Sequence, residues 1–159
     1  ALKIKNEPND YLRKARMIKF KSFQLLVPSW WSQTKNSENL IRFERLDTRY
    51  DWYAEFWTIS QMQDPHGLLE ELIKSLKVVF DEKSDFEDYF IDNKIDLPKL
   101  RIVRKEGMST INGVERAYFD LFVAKSSKKL LVGKSHSSIL NGCVEGPYFE
   151  EVINRLKDS

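Results

Sequence analysis

The stretch from Trp52 to Phe80, WYAEFWTISQMQDPHGLLEELIKSLKVVF, contains the two patterns that decide the fold. Its first part, Trp52 to Ser60, is dominated by aromatic and β-branched side chains, which favour a β-strand. Bulky residues occupy both sets of alternating positions in this segment. We therefore expect the strand to lie centrally in a sheet that is covered on both faces.

A helix is predicted to follow this strand. Asp64 is suited to the N-cap and Pro65 to the first helical position. Beyond them, apolar residues recur at spacings of three and four with charged residues between them, which predicts an amphipathic helix of about 15 residues. The apolar positions are Leu68, Leu69, Leu72, Ile73, Leu76, Val79 and Phe80.

The remaining segments predict an antiparallel sheet. Short apolar or alternating runs, typical of strands, occupy residues 23–27, 40–46, 99–109, 114–124 and 130–139. Asn112-Gly113 predicts a tight hairpin, since both central positions of a type I′ turn need positive φ. Asn141-Gly142 predicts another turn, and Gly146-Pro147 the start of a closing helix. Residues 32–39 are expected to form a loop, and residues 81–98 a short helix or ordered loop. The predicted fold class is α+β, an antiparallel sheet with helices packed on it.

Length and composition exclude several classes of protein. A chain of 159 residues suits one domain. Hydrophobic residues make up 42% of it, which excludes general disorder. No apolar run reaches the roughly 20 residues that a membrane helix requires. The single cysteine, Cys143, excludes an intrachain disulfide and an all-cysteine metal site.

Charge is distributed unevenly, although the net charge is only +2. Residues 1–20 are predicted to be a basic arm or linker, and residues 21–159 a single domain. The arm is either ordinary solvated surface, or it lies near an anionic membrane surface or nucleic acid. The residues that would provide this contact are Lys14, Arg16, Lys19 and Lys21. A pI near 8.6 disfavours a dedicated nucleic-acid binder.

The first residue, Ala1, fits either a cloned fragment or a mature protein whose leader has been removed. We expect a periplasmic or cell-envelope location rather than a cytoplasmic one. A cleavable apolar leader in the precursor would support this expectation.

Motifs that carry chemistry are absent from the sequence. There is no glycine-rich phosphate loop and no nucleophile elbow, and no histidine spacing suits a metal. No catalytic residue, metal or cofactor is therefore predicted. Cys143 is expected to be a buried structural thiol. An alternative function is a small hydrolase or transferase that uses His136 with Cys143 or with a carboxylate.

The aromatic residues of the first third of the chain are its most unusual feature. All four tryptophans precede residue 58. As ordinary core residues they would bury large areas; as functional residues they would line a groove for a protein, peptide or lipid. The candidate groove residues are Trp30, Trp31, Trp52, Trp57 and Tyr53. A third alternative, weak binding of single-stranded nucleic acid by stacking, lacks any RNA-recognition motif.

Three segments resemble the PsbP-like family. Phe23 to Trp30 (FQLLVPSW, followed by Trp31) is similar to its F-x-L-x-x-P-x-x-W opening. Ile111 to Val114 with Ala117-Tyr118 resembles its mid-domain hairpin, and Tyr148 to Ser159 its closing helix. The resemblance spans roughly residues 20–159.

This resemblance implies an α/β/α sandwich and a non-enzymatic role in binding or assembly. The family includes an extrinsic photosystem protein, a Ran-binding nuclear-import factor, bacterial lipoproteins and secretion-system chaperones, so it implies no particular ligand. No lipid-bearing cysteine lies near the start of the sequence. The sequence as a whole therefore predicts a binding or accessory module associated with the cell envelope.

Overall fold

The computed structural model describes residues 11, 13–46, 51–80, 86–91, 100–111 and 115–158, with only the backbone described at 86–91, 111 and 115. The described part contains two helices and eleven strands in the following order. They are β1 Ala15–Phe20, β2 Phe23–Pro28, β3 Ser32–Asn36, β4 Leu40–Glu44, β5 Tyr53–Ile59, α1 Pro65–Leu76, β6 Val78–Phe80, β7 Phe86–Ile91, β8 Leu100–Ile111, β9 Glu115–Lys125, β10 Leu130–Ser137, α2 Ile139–Asn154 and β11 Lys157–Asp158.

Two antiparallel sheets form the domain. The large sheet has the order β3-β4-β5-β10-β9-β8-β6, with β7 also paired to β8, and the small sheet has the order β1-β2-β11. Helix α1 packs on one face of the large sheet, while α2 and the small sheet pack on the other face. The α+β prediction, with helices on an antiparallel sheet, is confirmed.

The predicted strand and helix of the deciding stretch are confirmed, with a shorter helix than expected. β5 lies between β4 and β10, inside the large sheet. The Asp64 side chain accepts a hydrogen bond from the Gly67 N–H at 3.0 Å and caps α1. The helix ends at Leu76 because Lys77 adopts a left-handed conformation with φ 54°. Val79 and Phe80, predicted on the helix, belong to β6 instead.

The closing helix begins earlier than its local sequence predicts. Residues 141–142 are helical rather than a turn, and Pro147 lies inside α2 rather than at its start. Asp51 explains the early start: its carboxylate accepts hydrogen bonds from the Ser138 N–H at 3.0 Å and from the Asn141 side chain at 2.8 Å. Burial opposes the charge on Asp51, but these hydrogen bonds outweigh it and lower the pKa of that carboxyl.

Three segments without a strong apolar pattern are strands. Residues 15–20, predicted to be part of the basic arm, form β1 and pair with β2. Ahead of them Tyr11 is buried, and its hydroxyl donates to the carbonyl of Leu26, so the folded domain includes this part of the predicted arm. Residues 32–36 form the edge strand β3 rather than a loop, and residues 86–91 form β7 rather than a short helix or ordered loop. In each case pairing with a neighbouring strand outweighs the weak local signal.

The hairpin predicted at Asn112-Gly113 is confirmed in its strands. β8 and β9 are antiparallel neighbours with Ile111 opposite Glu115. The turn itself lies outside the described residues. Among the described residues, no helix has the length and apolar character needed to span a membrane.

Gly133 on β10 is required by the packing of the main core. A Cβ atom at this position would overlap the ring of Phe122, its partner on β9. The Phe122 ring in turn contacts Phe56 and Phe149, with centroid separations of 6.1 and 5.8 Å. The absence of a side chain at Gly133 therefore leaves room for the Phe122 ring beneath α2.

We expect Gly133→Ala to lower the free energy of unfolding by about 1–3 kcal/mol, because the added methyl group overpacks this core. Gly67→Ala is the matched control, since its methyl would make only an ordinary contact with Asp64 in an exposed helical turn. The control should be neutral or slightly stabilising. Urea denaturation of both variants checks this, and equal stability of the two would contradict the packing argument.

Candidate functional site

The five aromatic residues predicted to share a groove are divided between the two faces of the large sheet. Trp31 and Trp52 are 0% and 1% exposed and lie in the core beneath α2, with ring centroids 4.5 Å apart. Trp30 is half-buried and packs edge-on against Tyr148 of α2. Tyr53 and Trp57 point to the opposite face, because side chains alternate along β5. The five residues therefore cannot line one groove, which corrects that grouping.

Glu145 explains why Trp30 and Trp31 are structural. This α2 carboxylate is completely buried. Its Oε1 accepts hydrogen bonds from the indole N–H groups of Trp30 at 3.2 Å and Trp31 at 2.9 Å. Its Oε2 lies 2.7 Å from a guanidinium nitrogen of Arg45. One charged side chain thus joins α2 to the β2–β3 connection and to the segment after β4, and it uses the indole donors of Trp30 and Trp31 within the fold.

The opposite face presents a different aromatic surface. The strand register places Arg42, Glu55 and Lys134 in one row across β4, β5 and β10, and Tyr53 opposite His136 in the next row. Together with Trp57, they form what we call the Tyr53 face. Its members, all half-buried, are Arg42, Tyr53, Glu55, Trp57, Lys134 and His136.

Charged groups hold the Tyr53 face in place. The Arg42 guanidinium lies 4.0 Å from the centroid of the Tyr53 ring, a cation–π contact. Glu55 bridges the two cations of its row, at 3.4 Å from Arg42 and 3.4 Å from Lys134. Helix α1 packs on β6, β8 and β9, and the apolar cluster beneath it takes in only Trp57 of this face. The rest of the face therefore extends beyond the helix.

His136 and Cys143 lie on opposite sides of the large sheet. The His136 ring packs against Phe119 and Tyr53 on the α1 side, with centroids 4.4 and 5.6 Å away. Cys143 lies on α2, on the other side, and it is exposed rather than buried as predicted. The imidazole–thiol pair considered from the sequence is therefore not assembled.

A second buried charge cluster lies between α2 and the strands β8 and β9. Arg104, 1% exposed, forms a bidentate pair with the fully buried Asp120, with Nε–Oδ1 at 2.9 Å and a terminal nitrogen 2.6 Å from Oδ2. The same guanidinium reaches Glu106 at 3.1 Å and Glu150 at 2.9 Å. The Tyr118 hydroxyl donates to Glu106 at 2.8 Å. Three carboxylates thus share one guanidinium.

This sharing sets the acid–base properties of the cluster. Burial raises the pKa of Asp120 to about 7, and the negative charges of Glu106 and Glu150 add to the effect of burial against the opposing pull of Arg104. Burial and the neighbouring carboxylates also raise the pKa of Tyr118. The phenol is therefore a hydrogen-bond donor at all physiological pH values.

The cluster forms the floor of a cavity of about 270 Å³. Its other walls come from α2, where Gly142 and Gly146 leave room for the Tyr118 ring. The lining residues are Arg104, Glu106, Tyr118, Gly142, Cys143, Gly146, Pro147 and Glu150. Within the described residues, no group of three histidine, cysteine or acidic side chains is placed to hold a metal ion.

Sequence patterns contain a signal for both buried clusters. Glu145 falls four residues before Phe149 and seven before Val152, on the apolar stripe of the helix. Arg104 continues the inward positions of Leu100 and Ile102 along β8. A charged residue on an apolar stripe predicts a buried ion pair, but the partners of Glu145, and Glu150 beside Arg104, come from distant segments and need the tertiary structure.

Known proteins resemble this one in structure and not in sequence. No protein-family pattern matches the chain, and no curated protein sequence matches it significantly. A protein from Bacteroides thetaiotaomicron superposes with a TM-score of 0.57 and 12% identity over 92% of this chain and 48% of its own. This chain thus spans about half the length of that protein.

Two further structures match over nearly their whole length. The cyanobacterial PsbP (CyanoP) of Synechocystis sp. PCC 6803 has a TM-score of 0.59 and 10% identity, over 92% of this chain and 93% of its own. This chain has a PsbP-like fold. PA94, a protein of unknown function from Pseudomonas aeruginosa, has a TM-score of 0.53 and 11% identity, over 89% of this chain and 94% of its own. The PsbP-like resemblance found in the sequence is confirmed at the level of the fold.

Glu145→Gln tests the role of the buried carboxylate in the PsbP-like domain. The amide cannot neutralise Arg45, so we expect a loss of about 3 kcal/mol in the free energy of unfolding. Glu151→Gln is the control, because it breaks a partly exposed pair with Arg155 one helical turn apart, worth about 0.3–0.5 kcal/mol. Urea denaturation measures both. A loss at Glu145 no larger than the control would contradict the buried contact.

The Arg104 cluster predicts an unusual titration. The side-chain carbon signal of Asp120 in ¹³C NMR should titrate near pH 7, and its pKa should fall in Glu150→Gln because one negative neighbour is removed. Since the pKa is raised on folding, ionising Asp120 costs stability as pH rises from about 4, its unfolded value, toward about 7. Titration of Asp120 at or below pH 4 would refute this assignment.

Proposed function

We propose that the protein is a non-enzymatic binding module and that a protein or peptide partner docks on its Tyr53 face. The observation that carries the proposal is a half-buried Tyr53 on a part of the large sheet that extends beyond α1, on the same face of β5 as Trp57, which packs in the cluster beneath that helix. Tyrosine, tryptophan and arginine dominate the hot spots of protein interfaces. All three are present here within two adjacent strands.

The fixed geometry of the face supports binding. Arg42 is held by its contact with the Tyr53 ring and by its pairs with Glu44 and Glu55, both at 3.4 Å. Side chains that are already ordered lose less conformational entropy when a partner binds. A face arranged in this way therefore gains more net affinity from each contact.

The mixture of charges favours a protein or peptide over a lipid on this face. Acidic and basic side chains alternate around the rings, as in the polar rim of protein interfaces. A lipid acyl chain would instead require a continuous apolar groove. The predicted cell-envelope location is a separate part of the proposal. Fractionation of the source cells with an antibody to the domain would test it, and recovery from the cytoplasm would refute it.

Selection of peptides from a random display library tests the docking proposal. Enriched peptides, titrated into ¹⁵N-labelled protein, should shift amide signals of β4, β5 and β10. Arg42→Gln and Tyr53→Ala should each weaken binding about tenfold or more, as expected for interface anchors.

Lys128→Gln is the matched control, since it removes one positive charge from an exposed turn distant in sequence from the face. Circular dichroism confirms that each variant is folded. The proposal fails if no peptide is enriched, if the shifted signals lie on other strands, or if the control weakens binding as much as Arg42→Gln.

A further inference from the structure

The outer surface of the small sheet is unlike its core-facing surface. Side chains alternate along β1 and β2, and four residues of the inward set are apolar and buried: Phe20, Phe23, Leu25 and Val27. The residues between them face away from the core. With Lys157 of β11, these form what we call the outer face: Met17, Lys19, Gln24, Leu26 and Lys157.

The strand register builds a row of hydrogen-bond donors on the outer face. Lys19 on β1 lies opposite Gln24 on β2, and Lys157 on β11 lies opposite the same Gln24. Directly opposite residues have Cβ atoms about 4.5–5.5 Å apart, so two ammonium groups flank one amide. Ammonium and amide N–H groups are suited to the oxygens of a phosphate group.

Apolar side chains lie directly beside this row. Met17 is opposite Leu26 in the register and is 61% exposed. A cavity of about 280 Å³ opens at this point. Its lining residues are Met17, Gln24, Leu26, Asn154, Arg155 and Lys157. The surface therefore combines a donor row, a recess and a protruding apolar side chain.

The charge of this surface is predominantly positive. Lys21 is exposed in the turn between β1 and β2, with a positive φ of 56°. Arg155 lines the cavity, and its Nε lies 3.1 Å from Glu151. Asp158 is buried on the core side, opposite Phe23, and does not offset the lysines of the outer face. A partner that matches this surface would itself present an extended, negatively charged surface.

We propose that the outer face docks on a bilayer surface that contains anionic phospholipids. Headgroup phosphates accept hydrogen bonds from the Lys19–Gln24–Lys157 row, while Met17 enters the interfacial region of the bilayer. A membrane fits better than nucleic acid, because no exposed aromatic ring is present among the described residues of this face to stack on bases.

This surface differs from the one expected from the sequence. Of the four basic residues predicted to meet a membrane, Lys19 and Lys21 belong to the surface described here, and Lys14 is exposed next to β1. Arg16 points to the other side of β1, where its guanidinium donates to the Trp31 carbonyl at 2.7 Å. Lys157, distant in sequence, takes the place of Arg16 on the outer face.

Co-sedimentation with vesicles tests the proposal. The protein should bind phosphatidylcholine vesicles only when phosphatidylglycerol is included, and salt should weaken the binding. Reversing both charges of the row, with Lys19→Glu and Lys157→Glu together, should weaken binding about tenfold or more. Met17→Ser should weaken it at constant charge, because it removes only the apolar contact.

Lys128→Glu provides the control, since it reverses one charge in a turn outside the small sheet. Failure to bind phosphatidylglycerol vesicles, equal binding to both vesicle types, or an equal loss with Lys128→Glu would overturn the proposal. Tighter binding of a single-stranded oligonucleotide than of phosphatidylglycerol vesicles would also overturn the proposal. Saturation of the row by inorganic phosphate, without any preference for vesicles, would indicate a free-anion site and would also refute membrane docking.

Discussion

The buried carboxylate of Glu145 is the constraint on which the arrangement of this protein depends. An ionised carboxylate without partners is too costly to bury, and Glu145 is stabilised by two indole N–H groups and one guanidinium. Those three donors come from two separate segments that precede α1. The requirement to satisfy one charge therefore fixes how the first third of the chain meets the closing helix.

Alternation along β5 separates the aromatic residues between the two faces of the large sheet. Trp31 and Trp52 complete the core beneath α2, whereas Tyr53 and Trp57 are directed to the other face by the alternation of β5. The two faces of β5 thus have different surroundings. The outer face of the small sheet provides a third surface with its own chemistry, so a partner and a membrane would not compete for the same residues.

Sequence patterns within single segments predicted the fold well. The period of two along β5 and β9 and the capped amphipathic pattern of α1 are properties of single segments, and the structure has these elements. Glycine and proline signals failed at residues 141–147, because Asp51 caps the helix start from elsewhere in the chain and the Tyr118 ring packs against both helical glycines. The placement of the aromatic residues on two faces could have been predicted from the sequence. Trp52 and Tyr53 are consecutive, and consecutive side chains along a strand point to opposite faces. The partners of Glu145 could not be predicted, since they lie on distant segments. Arg104 differs, because it pairs with Glu106 on its own strand and with Asp120 on the other strand of the predicted hairpin.

Hydrogen–deuterium exchange of the indole N–H groups, followed by ¹⁵N NMR, tests the central claim most directly. The account predicts that the Trp31 indole, fully buried and bonded to Glu145, exchanges only when the domain unfolds. The Trp57 indole, half-buried and without a hydrogen-bond partner among the described residues, should exchange orders of magnitude faster. Exchange of Trp31 as fast as that of Trp57 would contradict the role of Glu145 in holding the buried Trp31 indole.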